Sequence, residues 1–426
     1  MNYFFDAHCH VMTLQHPNLM TFLNSMDSYL PDFLTSGTFS PTYVLGGKNR
    51  YLPAMIGKVN NTLRAFNGPV SKILQLMQDD LSGAFLVRKK ETPYPEQPFY
   101  RDGKFFFRGK SYDRVALCPL LMDFTETSGS TNDTNYYPAP KEDKIIRYAE
   151  DTVEGIESYY STTKNHLFDI FPLIGITPSA HPLKEIEKML ETYVATDHKI
   201  VREGPTKKRF YGLKFYPPLG FDAWPKSKEE RKKVEMMYEF CTTYKLPAIT
   251  HCDDQGFRVM PSKRAWELTE PNHYIPALER YPELKLDFAH FGYRYSIQGT
   301  TLQSLAAIRS GFPASPWFSQ ITDMIDIYPN VYGDFSFAGT NPLFYKEVQT
   351  YLQAQDEQKG EKLRSRMLFG SDFSINLFKV ESYTQYYEIF QESPFSDDDI
   401  DLFAKRNPME FLALKEEDTV SETHLA

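Results

Sequence analysis

The chain has 426 residues, 41% hydrophobic, 15% aromatic and 24% charged, the proportions of a globular protein that can bury a large core. Its formal net charge of −9 argues against nucleic acid as the main partner, because phosphate binding needs a basic surface. Four cysteines are too few for a disulfide framework in a chain of this length. No apolar run reaches the roughly 18 residues of a membrane span, and no leader-like segment precedes the first strand. We therefore expect a cytoplasmic protein that does not bind membranes.

Short apolar runs recur along the chain, and helical patterns follow most of them. The predicted strands are Tyr3–Ala7, Val115–Asp123, Leu167–Ile176, Tyr211–Tyr216, Ala248–His251, Lys285–His290, Val331–Phe335 and Met367–Asp372. Strands that alternate with helices indicate βαβ units and a parallel sheet. Eight such strands predict an α/β fold, the (β/α)8 TIM barrel. A doubly wound sheet fits less well, because no glycine-rich phosphate loop follows the first strand.

Apolar residues at helical spacing predict the helices between these strands. The predicted helices are Glu142–Tyr160, Lys184–Val194, Ser227–Tyr244 and Pro271–Tyr281. Asn407 is predicted to be an N-cap with Pro408 at the first helical position, opening a helix through Leu414. The charged tail 415–426 is expected to fray.

The connection after the first strand is far longer than a βα unit needs. Residues 12–113 separate the first two strands, and Met20–Phe33 and Ser71–Phe85 have helical patterns. Loops after barrel strands lie on the catalytic face, so we predict an insertion folded over the barrel mouth, within a single domain of residues 1–426. A peripheral decoration or an oligomer contact is the alternative. The Ser/Thr/Asn-rich loop Thr125–Tyr136 is expected to be mobile.

Nearly every predicted strand ends in a residue that can carry chemistry. These residues are His8, His10, Lys214, His251, His290 and Asp372. Side chains alternate faces along a strand, so His8 and His10 should point the same way, with Phe4 and Asp6 on that side and Cys9 on the other. Because a barrel brings all its strand ends to one mouth, the set predicts a shared metal site.

The ordered set resembles a known family. His-x-His on strand one, single histidines after strands five and six and an aspartate on strand eight form the pattern of the amidohydrolase superfamily. The segments Asn272–Gly292, Tyr328–Asp334 and Met367–Asp372 are similar to its amidohydrolase-related branch, amidohydrolase family 2. The resemblance covers most of the chain outside the long insertion.

The resemblance implies a role for each residue. His8, His10, His251 and Asp372 would hold one divalent ion, zinc in the first place and manganese as the alternative, with an open position for water. The ion lowers the pKa of bound water towards about 7, and Asp372 would accept that water's proton. His290 would polarise the substrate or carry a proton, unless it is a structural histidine.

Lys214 has three interpretations. In binuclear relatives the strand-four lysine is carboxylated and bridges two metals, with His251 and His290 on the second ion. In the closer branch one metal is usual, and the unmodified lysine pairs or binds substrate, which is the interpretation we favour. A structural ion pair is the third.

The substrate pocket is predicted from four residues. Arg294 and Arg258 could anchor a substrate carboxylate, and Tyr216 and Trp224 could line the pocket, although each could also pack locally. Asp334, at the end of strand seven, could orient a ligand histidine.

These features predict a metal-dependent hydrolase that attacks a C–N or C–O acyl bond of a small, in some cases carboxylated, substrate. The first alternative is a metal-dependent decarboxylase of a small aromatic or unsaturated acid, for which Arg294 gains importance. The second is a catalytically silent metal-binding scaffold. Barrel enzymes of this branch are often homodimers, so the partners we expect are a small-molecule substrate and a second copy of the chain.

Overall fold

The computed structural model describes residues 1–13, 16, 61–84, 94–125, 144–202, 204, 206–294 and 316–414. The predicted helix Met20–Phe33, most of the loop Thr125–Tyr136 and the tail 415–426 lie outside these ranges. None of the helices within them is both long enough and apolar enough to cross a membrane.

The strands form two parallel sheets and one small antiparallel sheet. In chain order they are β1 (Tyr3–Cys9), β2 (Tyr100–Arg101), β3 (Lys104–Phe107), β4 (Lys110–Tyr112), β5 (Arg114–Pro119), β6 (Phe168–Ile170), β7 (Ile174–Gly175), β8 (Leu213–Phe215), β9 (Pro247–Thr250), β10 (Lys285–Phe288), β11 (Val331–Asp334) and β12 (Met367–Leu368). The parallel sheets have the orders β1-β5-β6 and β7-β8-β9-β10-β11-β12, and β2-β3-β4 is antiparallel.

Backbone hydrogen bonds join the two parallel sheets at both ends. At one seam the amide of Leu173 donates to Pro119 (2.8 Å), and at the other the amide of Ala7 donates to Phe369 (2.9 Å). The strands therefore follow one another around a ring in chain order, as expected for the predicted (β/α)8 barrel. The predicted third strand is split into β6 and β7 because Pro172, which lies between them, has no amide hydrogen to donate to a ladder.

The helices alternate with the strands, as the sequence predicts. They are α1 (Val70–Leu81), α2 (Lys144–Thr162), α3 (Leu183–Tyr193), α4 (Lys228–Tyr244), α5 (Ser262–Thr269), α6 (Ile275–Arg280), α7 (Pro316–Ile327), α8 (Pro342–Gln353), α9 (Glu357–Arg364), α10 (Tyr383–Gln391), α11 (Asp397–Asp401) and α12 (Asn407–Phe411). Short 3₁₀ turns cover Pro178–Ala180, Pro217–Leu219, Pro271–Tyr274, Ala289–Gly292, Ala338–Thr340 and Ile375–Phe378.

The predicted N-cap at Asn407 is wrong. Asn407 has helical dihedrals (φ −63°, ψ −46°), and a π-helical turn, Leu402–Arg406, joins α11 to α12 without a break. The Asn407 side chain donates instead to the carbonyls of Arg364 (2.7 Å) and Met367 (2.8 Å). Because a proline ring clashes with the carbonyl four residues earlier in an α-helix, the wider turn before Pro408 accommodates it.

The core has an inner and an outer layer. The inner layer takes residues from strands all around the ring: Tyr3, Phe5, Ala7, Ala116, Cys118, Leu120, Phe171, Leu173, Tyr211, Ile249, Ala289, Tyr332 and Leu368. Phe4 and Cys9 belong to the outer layer, between the strands and the helices. The prediction that Phe4 and Asp6 share a face with His8 and His10 is therefore wrong. The register of β1 against β5 shifts between Asp6 and Cys9, a bulge that reverses the alternation.

The described part of the segment 12–113 lies on the outer side of β1. Helix α1 buries Val70, Ile73, Leu74, Met77 and Leu81 at helical spacing. It contacts α2, where Tyr159 donates to Gln78 (2.5 Å), and α10, where the amide of Thr384 donates to Asp80 (2.7 Å). This is the position of the helix that follows the first strand of a barrel. Residues 17–60 lie outside the described ranges, so a cover over the mouth stays a prediction.

Candidate metal centre and active site

The residues predicted from the strand ends are buried together at one end of the ring. His8 and His10 come from β1 and the residue after it, Lys214 from β8, and His251, His290 and Asp372 follow β9, β10 and β12. Each of these side chains belongs to a residue at most 4% exposed. Charged and imidazole groups buried to this extent need hydrogen-bonding or ionic partners, and most of these side chains have one.

His8 and His10 converge on one carboxylate oxygen. Nε2 of His8 lies 3.2 Å and Nε2 of His10 3.1 Å from Oδ1 of Asp372. The other ring nitrogens face acceptors: Nδ1 of His8 lies 2.7 Å from Asp334, and Nδ1 of His10 lies 2.8 Å from the carbonyl of Leu120. Both rings therefore carry a proton on Nδ1 and direct Nε2 towards Asp372. Histidines that donate to carboxylates or carbonyls from the far nitrogen are typical of metal sites.

The described residues fit a divalent ion. Nε2 of His8 is buried and has no hydrogen-bond partner among them, an arrangement that costs free energy unless a cation binds the lone pair. His8, His290 and Asp372 each offer a ligand atom within 4.8 Å of the others. Imidazole and carboxylate donors are those that zinc and manganese accept.

His251 is on the other side of His290 from His8. Nδ1 of His251 lies 3.3 Å from Nε2 of His290, and the His290 ring centroid lies 5.1 Å from that of His8. Nε2 of His251 contacts Oδ1 of Asp253 at 3.0 Å. His251, Asp253 and His290 form a second group with ligand atoms within 4.8 Å. The predicted set is thus brought together as His8, His10 and Asp372, with His251 connected through His290.

Asp253 is a further candidate ligand, whereas the sequence alone indicates only that it could support a ligand or cap a loop. It follows His251 by two residues and leaves the strand, so alternation gives no direction for its side chain. Its signal in the sequence is only the pair Asp253-Asp254 beside a predicted ligand histidine.

The backbone at two site residues is in the left-handed region. His290 has φ 60° and Asp372 has φ 58°, which is costly for residues other than glycine and is held by surrounding contacts. The amide of His290 donates to Asp334 (3.0 Å), and that of Asp372 to the carbonyl of His8 (2.7 Å). This conformation also ends β10 and β12 before the predicted His290 and Asp372.

The family model described as amidohydrolase matches residues 170–414, which is more than half of the chain. The chain belongs to the amidohydrolase family. Members of this family are metal-dependent hydrolases and decarboxylases, so this protein is an enzyme. A comparison with curated proteins found no match.

Solved structures of decarboxylases and of a probable hydrolase are among those similar to this amidohydrolase. One is the 5-carboxyvanillate decarboxylase of Novosphingobium aromaticivorans complexed with manganese, with 11% identity, TM-score 0.42, and coverage of 72% of this chain and 78% of that one. The second is a dihydroxybenzoic acid decarboxylase of Polaromonas sp. JS666 with bound manganese (14%, 0.42, 72% and 84%). The third is a probable 2-pyrone-4,6-dicarboxylic acid hydrolase of Acinetobacter baumannii (11%, 0.37, 71% and 84%).

The carboxylates of the amidohydrolase site are ionised. Burial raises the pKa of Asp372, but its contacts with His10 and His8 outweigh burial and hold the pKa well below the usual range. Burial likewise opposes ionisation of Asp334, whose pKa is nevertheless lowered by the charge and hydrogen bond of His8. Burial lowers the pKa of His290 to about 4. The site therefore combines stable negative charge with the neutral imidazole of His290, and both kinds of group are donors that a divalent cation accepts.

Lys214 is the buried cation of this amidohydrolase site. Its residue is 1% exposed, and its Nζ has no hydrogen-bond partner within the part of the chain that the structure describes. Burial lowers the pKa of Lys214 to about 8, against the attraction of Asp334 and Asp372. A lysine placed in this way offsets part of the carboxylate charge.

A cavity of about 40 Å³ opens beside the site. The described residues that line it are His10, Met122, Tyr216, His251, Asp253, Gln255, Gly256, Phe257, His290, Phe337, Asp372 and Ile375. Tyr216 stacks on His251 with ring centroids 4.4 Å apart. The wall therefore combines aromatic and aliphatic side chains with histidines and carboxylates of the site.

Of the four residues predicted to bind substrate, Tyr216 is among these lining residues. Trp224 lines a separate depression of about 520 Å³. Arg294 lies between Trp317 and Trp266, with its Cζ 4.8 and 5.3 Å from the ring centroids, where cation–π attraction holds it. Arg258 is absent from the lining that the structure describes. The expectation that Trp224, Arg294 and Arg258 face the cavity is therefore not met.

Proposed function

We propose that this amidohydrolase hydrolyses a C–N or C–O acyl bond of a small molecule with the help of one divalent ion. The observation that carries the proposal is the convergence of two imidazole Nε2 atoms, from His8 and His10, on one oxygen of Asp372 at 3.2 and 3.1 Å. Each far nitrogen is bound to an acceptor, so both lone pairs are directed to the same point.

His8, His10, His251 and Asp372 would hold the ion, zinc in the first place and manganese as the alternative. A divalent ion bound there supplies a Lewis acid and lowers the pKa of water. Lys214 would remain an unmodified ammonium that offsets the charge of the carboxylates, consistent with one ion rather than two. His290, which lines the cavity, would polarise the substrate or carry a proton.

Asp372 would take the proton from the attacking water. Its carboxylate is ionised, and among the described residues it is the one carboxylate in contact with both His8 and His10. Phe257 and Phe337 would hold the substrate and exclude bulk water, since they line the same cavity as Asp372. General-base catalysis of this kind is worth about 10²–10⁴ in rate.

Decarboxylation of a small aromatic acid is the second candidate. The rings of Tyr216, Phe257 and Phe337 on the cavity wall fit a planar substrate. Hydrolysis leads because Arg294, the predicted anchor for the carboxylate that would be lost, packs between tryptophans away from the lining.

The test has a metal arm and an isotope arm. Metal per chain is measured by plasma mass spectrometry on protein purified without chelator, with His8→Ala alongside; about one zinc or manganese, lost in the variant, supports the site. Small aromatic esters, amides, lactones and hydroxybenzoic acids are then incubated in H₂¹⁸O. Label in an acid product indicates hydrolysis, whereas release of CO₂ with no label in the organic product indicates decarboxylation. Bound metal without any turnover supports the scaffold alternative.

The location and the assembly belong to the same proposal. A cytoplasmic location is supported by the four cysteines, Cys9, Cys118, Cys241 and Cys252, all buried and free. A homodimer is expected from the family resemblance, and size-exclusion chromatography with light scattering would measure it.

A further inference from the structure

The hydroxyl of Ser336 lies at the junction of two site histidines. Ser336 is 0% exposed and follows β11 by two residues. Its Oγ lies 3.0 Å from Nδ1 of His8 and 2.9 Å from Nδ1 of His290. It also donates to Oδ1 of Asp334. A single buried hydroxyl therefore contacts both imidazole rings and the carboxylate beside them.

The hydroxyl of Ser336 has only one hydrogen, and this determines which neighbouring groups donate and which accept. A serine hydroxyl has one donor hydrogen and two acceptor lone pairs, whereas a carboxylate only accepts. Oδ1 of Asp334 can only accept, so the single hydroxyl hydrogen of Ser336 is donated to it. The two histidine nitrogens beside the hydroxyl must then donate to the Ser336 oxygen. Nδ1 of His8 and Nδ1 of His290 therefore both carry hydrogen.

Asp334 and the main chain reinforce the same assignment. Oδ2 of Asp334 lies 2.7 Å from Nδ1 of His8, and the carbonyl of Ser336 lies 3.1 Å from Nδ1 of His290. Oδ1 of Asp334 also accepts from the amides of Ser336 (2.9 Å) and His290 (3.0 Å). The carboxylate, the serine and the two rings thus form one hydrogen-bonded unit at the end of β11.

We propose that Ser336 is a positioning residue which, together with Asp334, locks His8 and His290 in the Nδ1–H tautomer and holds Nε2 of His8 towards Asp372 and Nε2 of His290 towards His251. His8 then presents a lone pair to Asp372, and His290 presents one to His251. The consequence for catalysis rests on the proposed function, whereas the tautomers and the ring orientation do not.

The role predicts a graded response to substitution. Ser336→Ala removes the acceptor shared by the two rings but leaves Oδ2 of Asp334 and the carbonyl of residue 336, so the rings lose orientation more than protonation. Polar groups that orient metal ligands are worth about 10–100-fold in metal affinity. We expect Ser336→Ala to weaken zinc binding by about tenfold and to lower kcat more than it changes KM.

The first measurement uses the unmodified protein. Protein labelled with ¹⁵N at histidine, either zinc-loaded or treated with chelator, is studied at pH 9 by long-range ¹H–¹⁵N correlation spectroscopy, and His8→Gln and His290→Gln assign the signals. The Nδ1–H pattern for both histidines in the chelated protein supports the proposal. An Nε2–H pattern for either one overturns it, whatever reaction the enzyme catalyses.

The second measurement separates the hydroxyl from simple packing. Zinc affinity is measured by chelator competition for Ser336→Ala and for the pair Ser336→Thr and Ser336→Val, which have nearly equal volume but differ in the hydroxyl. Ser374→Ala is the control, because Ser374 is 0% exposed and its Oγ has no hydrogen-bond partner among the described residues. The positioning role is supported if Ser336→Thr and Ser374→Ala retain zinc affinity while Ser336→Ala and Ser336→Val lose it. Equal affinity in all four variants overturns it.

Discussion

Asp372 combines two demands in a single carboxylate. It must stay ionised although buried, and it must face the point at which the lone pairs of His8 and His10 meet. The first demand is met by the two imidazole contacts at 3.2 and 3.1 Å, and the second by its left-handed backbone, φ 58°, which turns the side chain out of the strand direction. The charge rather than the volume of this side chain should therefore determine activity.

Asp372→Asn keeps the shape and removes the charge. We expect kcat of the metal-loaded enzyme to fall by about 10²–10⁴-fold, because the proton acceptor is lost. Metal content is measured on the same sample so that loss of the ion is recognised. Asp222→Asn is the matched control, since Asp222 pairs with His273 (2.7 Å) in the depression away from the cavity, and it should retain full activity. Retention of more than a tenth of kcat in Asp372→Asn would rule out the proposed base.

The His181–Asp123 pair gives a residue-scale prediction of pH dependence. Nε2 of His181 lies 2.7 Å from Oδ2 of Asp123, and both side chains are buried. Burial opposes both charges, but the partner outweighs it. The pKa of His181 is therefore raised from 6.5 and that of Asp123 lowered from 3.8. A raised histidine pKa gives stability that is complete below pH 6.5 and declines as the pH rises through the folded value.

His181→Gln should accordingly cost most between pH 3.8 and 6.5, the unfolded values of the two groups. Loss of one partner of a buried pair costs about 3 kcal/mol, and the difference from the unmodified protein should shrink towards pH 9. Urea titrations at pH 5, 7 and 9 measure the free energy of unfolding. The control His273→Gln removes an ion pair whose side chains are 30% and 26% exposed, and should cost under about 1 kcal/mol. A cost independent of pH would contradict the assignment.

The sequence predicts which residues form the site better than it predicts where the side chains point. His8, His10, His290 and Asp372 were found from strand ends, because a parallel ring brings those ends together whatever the detail. Alternation misplaced Phe4 and Asp6, since one extra residue in β1 reverses the pattern and no residue type marks it. Arg294 and Trp224 lie on loops, where side-chain direction depends on packing partners distant in sequence.

At the scale of elements, Gly370 allows β1 and the chain after β12 to approach closely. A Cβ at Gly370 would lie 2.6 Å from Cβ of His8, so Gly370→Ala must displace the ligand histidine or the turn that carries Asp372. We expect a loss of about 2 kcal/mol in the free energy of unfolding, together with weaker metal binding. Thermal unfolding and chelator competition measure the two effects.

Gly360→Ala is the control of opposite sign. Gly360 lies within α9, and a Cβ there would meet only the flexible end of Arg364 (3.0 Å) and the carbonyl of Leu352 (3.6 Å). Alanine in a helix interior is favoured over glycine by about 0.5–1 kcal/mol, so this variant should be slightly more stable, with unchanged metal affinity. If Gly370→Ala and Gly360→Ala changed stability and metal affinity equally, the close contact of Gly370 with His8 would not be what controls them.

The order of the elements follows from the sequence, but some of their limits do not. Alternating strands and helices were predicted because the apolar period changes from two to 3.6 at each junction. The break at Pro172 and the π turn before Pro408 arise from a missing amide hydrogen and a ring clash. How the backbone accommodates these two prolines depends on the segments of the same chain that pack beside them. The position of α1 between α2 and α10 is likewise a matter of tertiary contacts.

At the scale of the molecule, the ring divides into an apolar interior and a charged end. Residues such as Phe5, Ile249 and Tyr332 fill the interior, whereas the groups around the metal centre are carboxylates and imidazoles. The apolar layer stabilises the fold on its own, but the convergent carboxylates and lone pairs stabilise it only with a cation present. Stability should therefore depend on metal.

Zinc or manganese should raise the thermal midpoint of the whole chain. Binding to the folded state at a free concentration of about a hundred times Kd adds about 2.7 kcal/mol, which corresponds to about 3 °C for a chain of this length. Scanning fluorimetry after chelation and after re-addition of metal measures the shift. The shift should vanish in His8→Ala and persist in His273→Gln, because only the first removes a group that converges on Asp372. An equal shift in both variants would place the stabilising ion elsewhere in the protein, and the metal centre would then have to be sought among other residues.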